Sequence, residues 1–278
     1  MVSLNRDRTG LLIDGEWVNA DDSFESINPA TEKSIGTVDN AGGREVERAV
    51  DAATSSLEEW RKKSTEERAD ILGNVVELLY EKYGEEGEET ELKQLIQAEV
   101  GRRLIEADIE VVESADMLNF YVEQSPEVLS NEDLELNEEL WPTKESQVVY
   151  EPIGVVGVIK PWNYPLELPI WSIGAALMAG NTVVFKPSEN SSFVGIELGK
   201  IFKEAGVPDG VVNIITGDEN TGKQLVEADG VDMISFTGSQ EVGKNIAEKC
   251  GRDLKEYSLE LGGNDPAVVA PDVDLELA

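Results

Sequence analysis

From Ile153 onward, short and mainly apolar runs alternate with longer segments of mixed polarity, and few folds accept that pattern. GVVGVI, TVVF, VVNIIT and VDMISF are each strand-sized, and residues 168–179, 194–205, 220–228 and 240–250 between and after them read as helices. DPAVVA then reads as a further strand. Strands joined through helices run parallel, and strands apolar on both sides need cover on both faces. The expected fold is therefore α/β, a doubly wound, mainly parallel sheet. Such sheets take ligands at the carboxyl ends of their strands.

The first half follows other periods. Residues 11–38 read as short strands with turns at Asp14-Gly15 and Asn28-Pro29. Residues 45–60, 65–83 and 88–121 read as helices, and Ala69, Leu72, Val76 and Leu79 mark one face of the second. Gly84 and Gly87 punctuate the junction before the third helix, and Gly101 interrupts it. An N-terminal hairpin and helical region thus precede the sheet. After Pro126 a very acidic connecting stretch leads into a strand-like run, SQVVYEPIGVVGVI.

Composition removes several classes of chemistry. Among 278 residues there is no histidine and one cysteine, Cys250. A Ser-His-Asp triad and a histidine-based metal site are excluded, no metal is expected, and no internal disulfide can form. The lone cysteine favours a reducing compartment. MVSLNRDRTG lacks the apolar run of a signal peptide, and the longest apolar runs are far too short to span a membrane. A cytoplasmic protein is expected.

The net charge of −34 repels phosphate, which disfavours nucleic acid and anionic membranes as partners. The acids are interleaved with apolar residues at core spacing, so they belong to folded elements. That much self-repulsion suits a salt-screened, halophilic setting. The melting temperature is accordingly expected to rise from low to multimolar KCl, and one insensitive to salt would refute this reading.

Four stretches carry candidate chemistry, each with two readings. In FTGSQEVGKNI, Ser239 is a natural helix N-cap and Gly238 permits close backbone approach. Gly243 sits inside the helix, where it costs about 1 kcal/mol against alanine, a cost explained if the helix packs closely on a ligand or a strand. The stretch is either an ordinary capped helix or a pyrophosphate site at a helix start. In FKPSEN, Lys186 and Glu189 follow a strand end. They form either a solvated ion pair or a site where lysine meets a phosphate or ribose hydroxyl and the carboxylate accepts ribose hydroxyls.

KPWNYPLELP holds Trp162-Asn163 between Pro161 and Pro165 directly after an apolar strand. Prolines restrict themselves and the residue before them. Asn163 is either part of a turn with a packed tryptophan or a fixed amide donor for an oxyanion. In YSLELGG, Glu256, Ser258 and Glu260 alternate with Tyr257, Leu259 and Leu261, as in a half-buried strand. With 57 acidic residues in the chain, Glu260 is either one more surface acid or a carboxylate placed for chemistry.

KPWNYP, KPSE, FTGS with Gly243, and LELGG occur in an order and spacing that resemble the NAD(P)-dependent aldehyde dehydrogenase superfamily. GVPDGVVNIITG and INPATEKSIGTV resemble it too, and the likeness runs from about Leu12 to Ala278. The resemblance implies a Rossmann-like cofactor domain of the aldehyde dehydrogenase type over residues 1–259 and the start of a catalytic domain over 260–278. It implies that Trp162, Lys186, Ser188, Glu189, Gly217, Gly238, Ser239 and Gly243 line the cofactor site, with Leu261 beside the nicotinamide. It gives Asn163 as the oxyanion amide and Glu260 as the general base. Glu189 resembles NAD-preferring members, and its charge would repel a 2′-phosphate, so NAD is expected before NADP. The implied substrate is a small aldehyde oxidised to its acid, and the family implies a homo-oligomer.

Family members attack the aldehyde with a cysteine thiolate that follows the LELGG glutamate. Cys250 precedes Glu260 and ends a helix, with Gly251 as the expected C-cap, and a helix C-terminus disfavours a thiolate. The chain is therefore expected to be a fragment, a split gene or a frameshifted copy, inactive alone. The alternatives are an NAD-binding or subunit-pairing module without catalysis, and a non-functional copy.

Overall fold

A computed structural model describes residues 6–83, 90–137, 139–141 and 143–274. Gly84, Gly87 and the first residues of the helix expected from 88 lie outside them.

Five strands open the chain: β1 (Arg6–Thr9), β2 (Leu11–Ile13), β3 (Glu16–Val18), β4 (Asp22–Asn28) and β5 (Lys33–Asn40). Asp14 and Gly15 both take positive φ, 53° and 71°, as a two-residue hairpin turn between β2 and β3 requires. Asn28 closes the other expected turn, its side chain accepting from the amides of Ala30 and Thr31. The helices α1 (Gly43–Arg61), α2 (Thr65–Leu78), α3 (Glu91–Val100) and α4 (Leu104–Val128) follow, α2 continuing through one π-helical turn at Leu79–Tyr83. Gly101, at φ 76°, ends α3, so the single interrupted helix expected over 88–121 is two helices. Ala69, Leu72, Val76 and Leu79 are buried together as their spacing predicts.

The run expected to be strand-like from Ser146 to Ile159 is strand only at its ends. β6 (Glu132–Asp133) pairs with β7 (Gln147–Val148) in a small hairpin of its own, and β8 (Val155–Ile159) starts the main sheet. Pro152 and a left-handed Gly154 between them cannot continue a ladder. After β8 come α5 (Glu167–Met178), β9 (Thr182–Lys186), α6 (Ser192–Glu204), β10 (Val212–Ile214), α7 (Glu219–Glu227), β11 (Met233–Gly238), α8 (Gln240–Asp253) and β12 (Glu256–Leu261).

The main sheet has the order β12-β11-β8-β9-β10-β2-β3. Its five strands from β12 to β10 are parallel, and β2 and β3 extend it antiparallel. Strand residues alternate between two cores. Val156, Val158, Val183, Phe185 and Ile214 pack with α2 to α6, while Val155, Val184, Ile234 and Phe236 pack with α1, α7 and α8. This is the doubly wound arrangement expected. The chain moves outward from β8 through β9 to β10, then returns to the other side of β8 with β11. The order reverses between β8 and β11, which opens a crevice at their carboxyl ends.

Two expectations fail at the far edge. DPAVVA is not a strand: residues 262–270 carry no regular structure and are exposed. β12 forms, but as the last strand of its sheet it is not half-buried; Tyr257 is 48% and Leu261 37% exposed, and Leu259 alone packs partly into a core. A third lies at the end of α8. Gly251 stays helical, and Leu254 takes the left-handed cap at φ 58°. Among the described residues no helix is long and apolar enough to cross a membrane.

Candidate functional site

The register of the parallel strands assembles the site. Ile159 lies beside Lys186 on one side and Phe236 on the other, and Thr237 lies beside Glu260. One residue beyond Ile159, Lys160 therefore falls in a row with Thr237 and Glu260. In a strand ladder, residues in register point to the same face. Here that face is the one covered by α5, because Ser235, two residues before Thr237, bonds to Ser172 of α5.

Lys160 was not singled out from the sequence. It is 5% exposed, and its ammonium donates to Ser235 Oγ and Thr237 Oγ1, each at 3.1 Å. Burial pushes its pKa down to about 8, and the charge of Glu260 opposes the shift. The one signal available was a cation placed directly at the end of an apolar strand and before Pro161. Glu260 itself is exposed on β12.

Beyond Lys160 the chain turns through Pro161 to Pro165 into α5. Trp162, Asn163 and Tyr164 are all exposed, so the tryptophan is not packed into the turn. The three line a cleft of about 490 Å³ together with Gly101, Arg102, Glu106, Ile109 and Glu113. The Asn163 side-chain amide has no hydrogen-bond partner among the described residues. Its main chain is held: Arg102 Nη2 donates to the Asn163 carbonyl at 2.6 Å.

On the other flank, Lys186 ends β9 and is 5% exposed, while its partner Glu189 stands in the 3₁₀ turn Glu189–Ser191 at 3.6 Å. This corrects the solvated-pair reading. Burial pushes the Lys186 pKa down, and Glu189 opposes the shift. Ser188 caps the turn, accepting from the Asn190 amide. Gly217 is buried before α7, where a Cβ would lie 2.0 Å from Thr221 Oγ1.

Gly238 ends β11, and Ser239 caps α8 by accepting from the Val242 amide at 3.2 Å. The amides of the first helical residues, Gln240 and Glu241, precede the first intrahelical bonds and point beyond the helix end. The two glycines are explained within the chain. A Cβ on Gly238 would meet the Phe236 ring at 2.5 Å, and one on Gly243 would meet Leu261 Cδ2 at 2.5 Å. Gly243 thus lets α8 close on β12, the strand-packing option left open by the sequence. Cys250 is fully buried in α8, and burial pushes its thiol up, away from the reactive thiolate.

The same architecture recurs in known proteins. The model of the aldehyde dehydrogenase family matches residues 17–278. An NADP-dependent enzyme of E. coli is similar over 92% of this chain at 35% identity and TM-score 0.86, with 52% of its own chain covered. An NAD-dependent aldehyde dehydrogenase from Sinorhizobium meliloti is similar over 96% at 32% identity and TM-score 0.87, again with 52% of its chain covered. The NAD+ complex of an aldehyde dehydrogenase from Bacillus cereus is similar over 97% at 33% identity and TM-score 0.87, with 54% covered. The chain spans about half the length of these solved chains.

Proposed function

The chain belongs to the aldehyde dehydrogenase family, and from that premise we propose that it supplies the cofactor site, oxyanion donor and general base of an enzyme oxidising an aldehyde to its acid. One observation carries the reading. Asn163, Lys186, Ser239 and Glu260 come from four loops and strands far apart in sequence, yet all lie at the carboxyl ends of β8, β9, β11 and β12 around the reversal in strand order.

The donor set fits a nicotinamide dinucleotide. The α8 start offers amides to a pyrophosphate, and Lys186 with Glu189 offers one cation and one carboxylate to a ribose. We assign Trp162, Ser188 and Gly217 to the same site, since they follow the carboxyl ends of β8, β9 and β10, and Leu261 lies against α8 at Gly243. Both NAD- and NADP-dependent proteins are among the similar structures. We favour NAD for this chain, because the partly exposed Glu189 carboxylate would face a 2′-phosphate with like charge.

When bound, the nicotinamide supplies a hydride acceptor. The side chains do the rest. The Asn163 amide donates to the aldehyde oxygen as negative charge develops on it. Glu260 takes a proton from the water that releases the acid. In this division residues 1–259 form the cofactor unit and 260–278 open the catalytic one. The sole cysteine is buried and its thiol is pushed up, so we place the nucleophilic thiolate outside these 278 residues. By itself the chain binds the cofactor without turnover. We also propose a cytoplasmic, salt-rich setting and assembly into homo-oligomers.

Titrating the purified chain with NAD and NADP by calorimetry tests the reading. NAD is expected to bind in the micromolar to millimolar range, and Lys186→Ala to weaken it about ten-fold. No heat of binding from either nucleotide at millimolar concentration would overturn the proposal.

A further inference from the structure

The turn that carries Asn163 is fastened at Asn163 and just beyond it by residues of the helical layer. Ahead of α4, the Arg102 guanidinium donates to the Asn163 carbonyl, lies 3.9 Å from the centre of the Tyr164 ring, and stands 3.4 Å from Glu110 Oε2. Glu110 is fully buried, and its Oε1 accepts from the amides of Leu166 at 2.9 Å and Glu167 at 3.3 Å. Those amides open α5, whose own N-cap position, Leu166, has no side chain able to cap it. One ion pair thus holds the carbonyl of Asn163 itself and the backbone three and four residues after it.

We propose that Arg102 and Glu110 are positioning residues for Asn163, clamping the turn from Pro161 to Pro165 so that its free side-chain amide keeps a single aim into the cleft. The inference rests on the reading of Asn163 as the oxyanion donor. A donor of that kind is effective only when its direction is fixed before charge develops. An amide on an exposed turn has no such fixity by itself. The clamp supplies it without touching the amide.

The clamp carries a pH dependence. Glu167, 8% exposed at the start of α5, has its pKa pushed up to about 7 by burial, with Glu113 and Glu110 adding to the shift and Arg102 opposing it. Arg102 is ion-paired with Glu110 and acts on Glu167 through its charge. Of the other charged groups on elements packed against α5, Lys160 of β8 is turned to Ser235 and Thr237, Lys186 of β9 to Glu189, and Arg68 of α2 to the Met178 carbonyl at the far end of α5. On ionising near neutral pH, Glu167 adds a second carboxylate charge beside the Arg102–Glu110 pair, and Asn163 should register the change.

The test uses the whole chain and needs no turnover. The Asn163 side-chain amide resonances are followed by ¹⁵N NMR across pH 5 to 9, with hydrogen exchange measured at residues 161–167. The wild type is expected to show one ordered amide pair whose shift titrates near pH 7, and Glu167→Gln to abolish that titration. Arg102→Lys keeps the charge but loses the fork. Glu110→Gln keeps an acceptor but loses the charge, and Tyr164→Leu removes only the stacking surface. Each is expected to raise exchange in the turn by about ten-fold or more while exchange elsewhere, which reports folding, stays unchanged. Turn exchange unchanged in all three, or an Asn163 resonance silent to pH, would overturn the proposal. Nucleotide binding is a separate readout: a clamp confirmed without any NAD binding would sink the functional reading and leave the clamp standing, and the reverse result would sink the clamp alone.

Discussion

Glu99→Ala is expected to destabilise the fold by about 3–5 kcal/mol, among the largest losses any single side chain here can cause. Glu99 is 2% exposed at the end of α3. Its two carboxylate oxygens accept from the amides of Phe193 at 3.0 Å and Val194 at 2.9 Å, and Oε1 also accepts from Ser26 Oγ at 2.8 Å. Those amides belong to the first turn of α6. The N-cap position, Ser191, makes no side-chain cap of its own. A carboxylate from another helix therefore does the capping, with its charge against the positive end of the helix dipole.

Alanine would take away the acceptor that two helix-start amides and a buried hydroxyl share, and losing such a bond costs about 1–3 kcal/mol. Glu99→Gln keeps one oxygen as an acceptor and should lose about half as much. Urea denaturation of both variants checks the order. The loop from Lys186 to Ser191 leads straight into α6, so affinity for the proposed nicotinamide cofactor should fall along with stability. An alanine variant with an unchanged urea midpoint would show that the cap contributes nothing.

Glu99 and Glu110 also mark where reading the sequence stops. The parallel sheet was legible because period is a local property. Apolar runs of strand length, separated by helices, force the crossover topology whatever each residue touches, and the catalytic candidates follow from which strand ends they occupy. Partner identity is not local. In the strongly acidic segment around α3 and α4, Glu99 and Glu110 look like their solvated neighbours, yet each caps a distant helix that follows one site loop. No spacing rule connects Glu99 to Phe193, or Glu110 to Leu166.

The misread elements have the same origin. DPAVVA has the composition of a strand but no sheet edge pairing with it among the described residues, and composition alone cannot supply a partner. Gly251 seemed the natural cap, but α8 continues to Asp253 and Leu254 takes the left-handed position instead. From the sequence Gly238 reads as a ligand-approach glycine, and Gly243 as one packed closely on a ligand or a strand. Their missing side chains are demanded first by Phe236 and Leu261.

Lys160→Met is expected to stabilise the chain at neutral pH by about 1–3 kcal/mol, the reverse of what removing a hydrogen-bonded side chain usually does. Lys160 is a cation at 5% exposure whose two partners are hydroxyls rather than carboxylates. Burial pushes its pKa down to about 8, so the folded chain holds this proton less tightly than the unfolded one does. The cost of the charge is therefore full below pH 8. It fades as pH rises from there toward the ordinary lysine value of about 10.4, where the unfolded side chain also becomes neutral.

Methionine fills a similar volume without charge. The stranded hydroxyls cost little, since Ser235 keeps its bond to Ser172 and Thr237 is only partly buried. The advantage of the variant over wild type should then be widest below pH 8 and close by about pH 10.5, measured by urea denaturation at each pH. A difference that stays flat across that range would mean Lys160 is not held as a buried charge. A difference that closes would mean that the row Lys160–Thr237–Glu260 keeps a cation at a stability cost, where a carboxylate on the next strand but one can feel it.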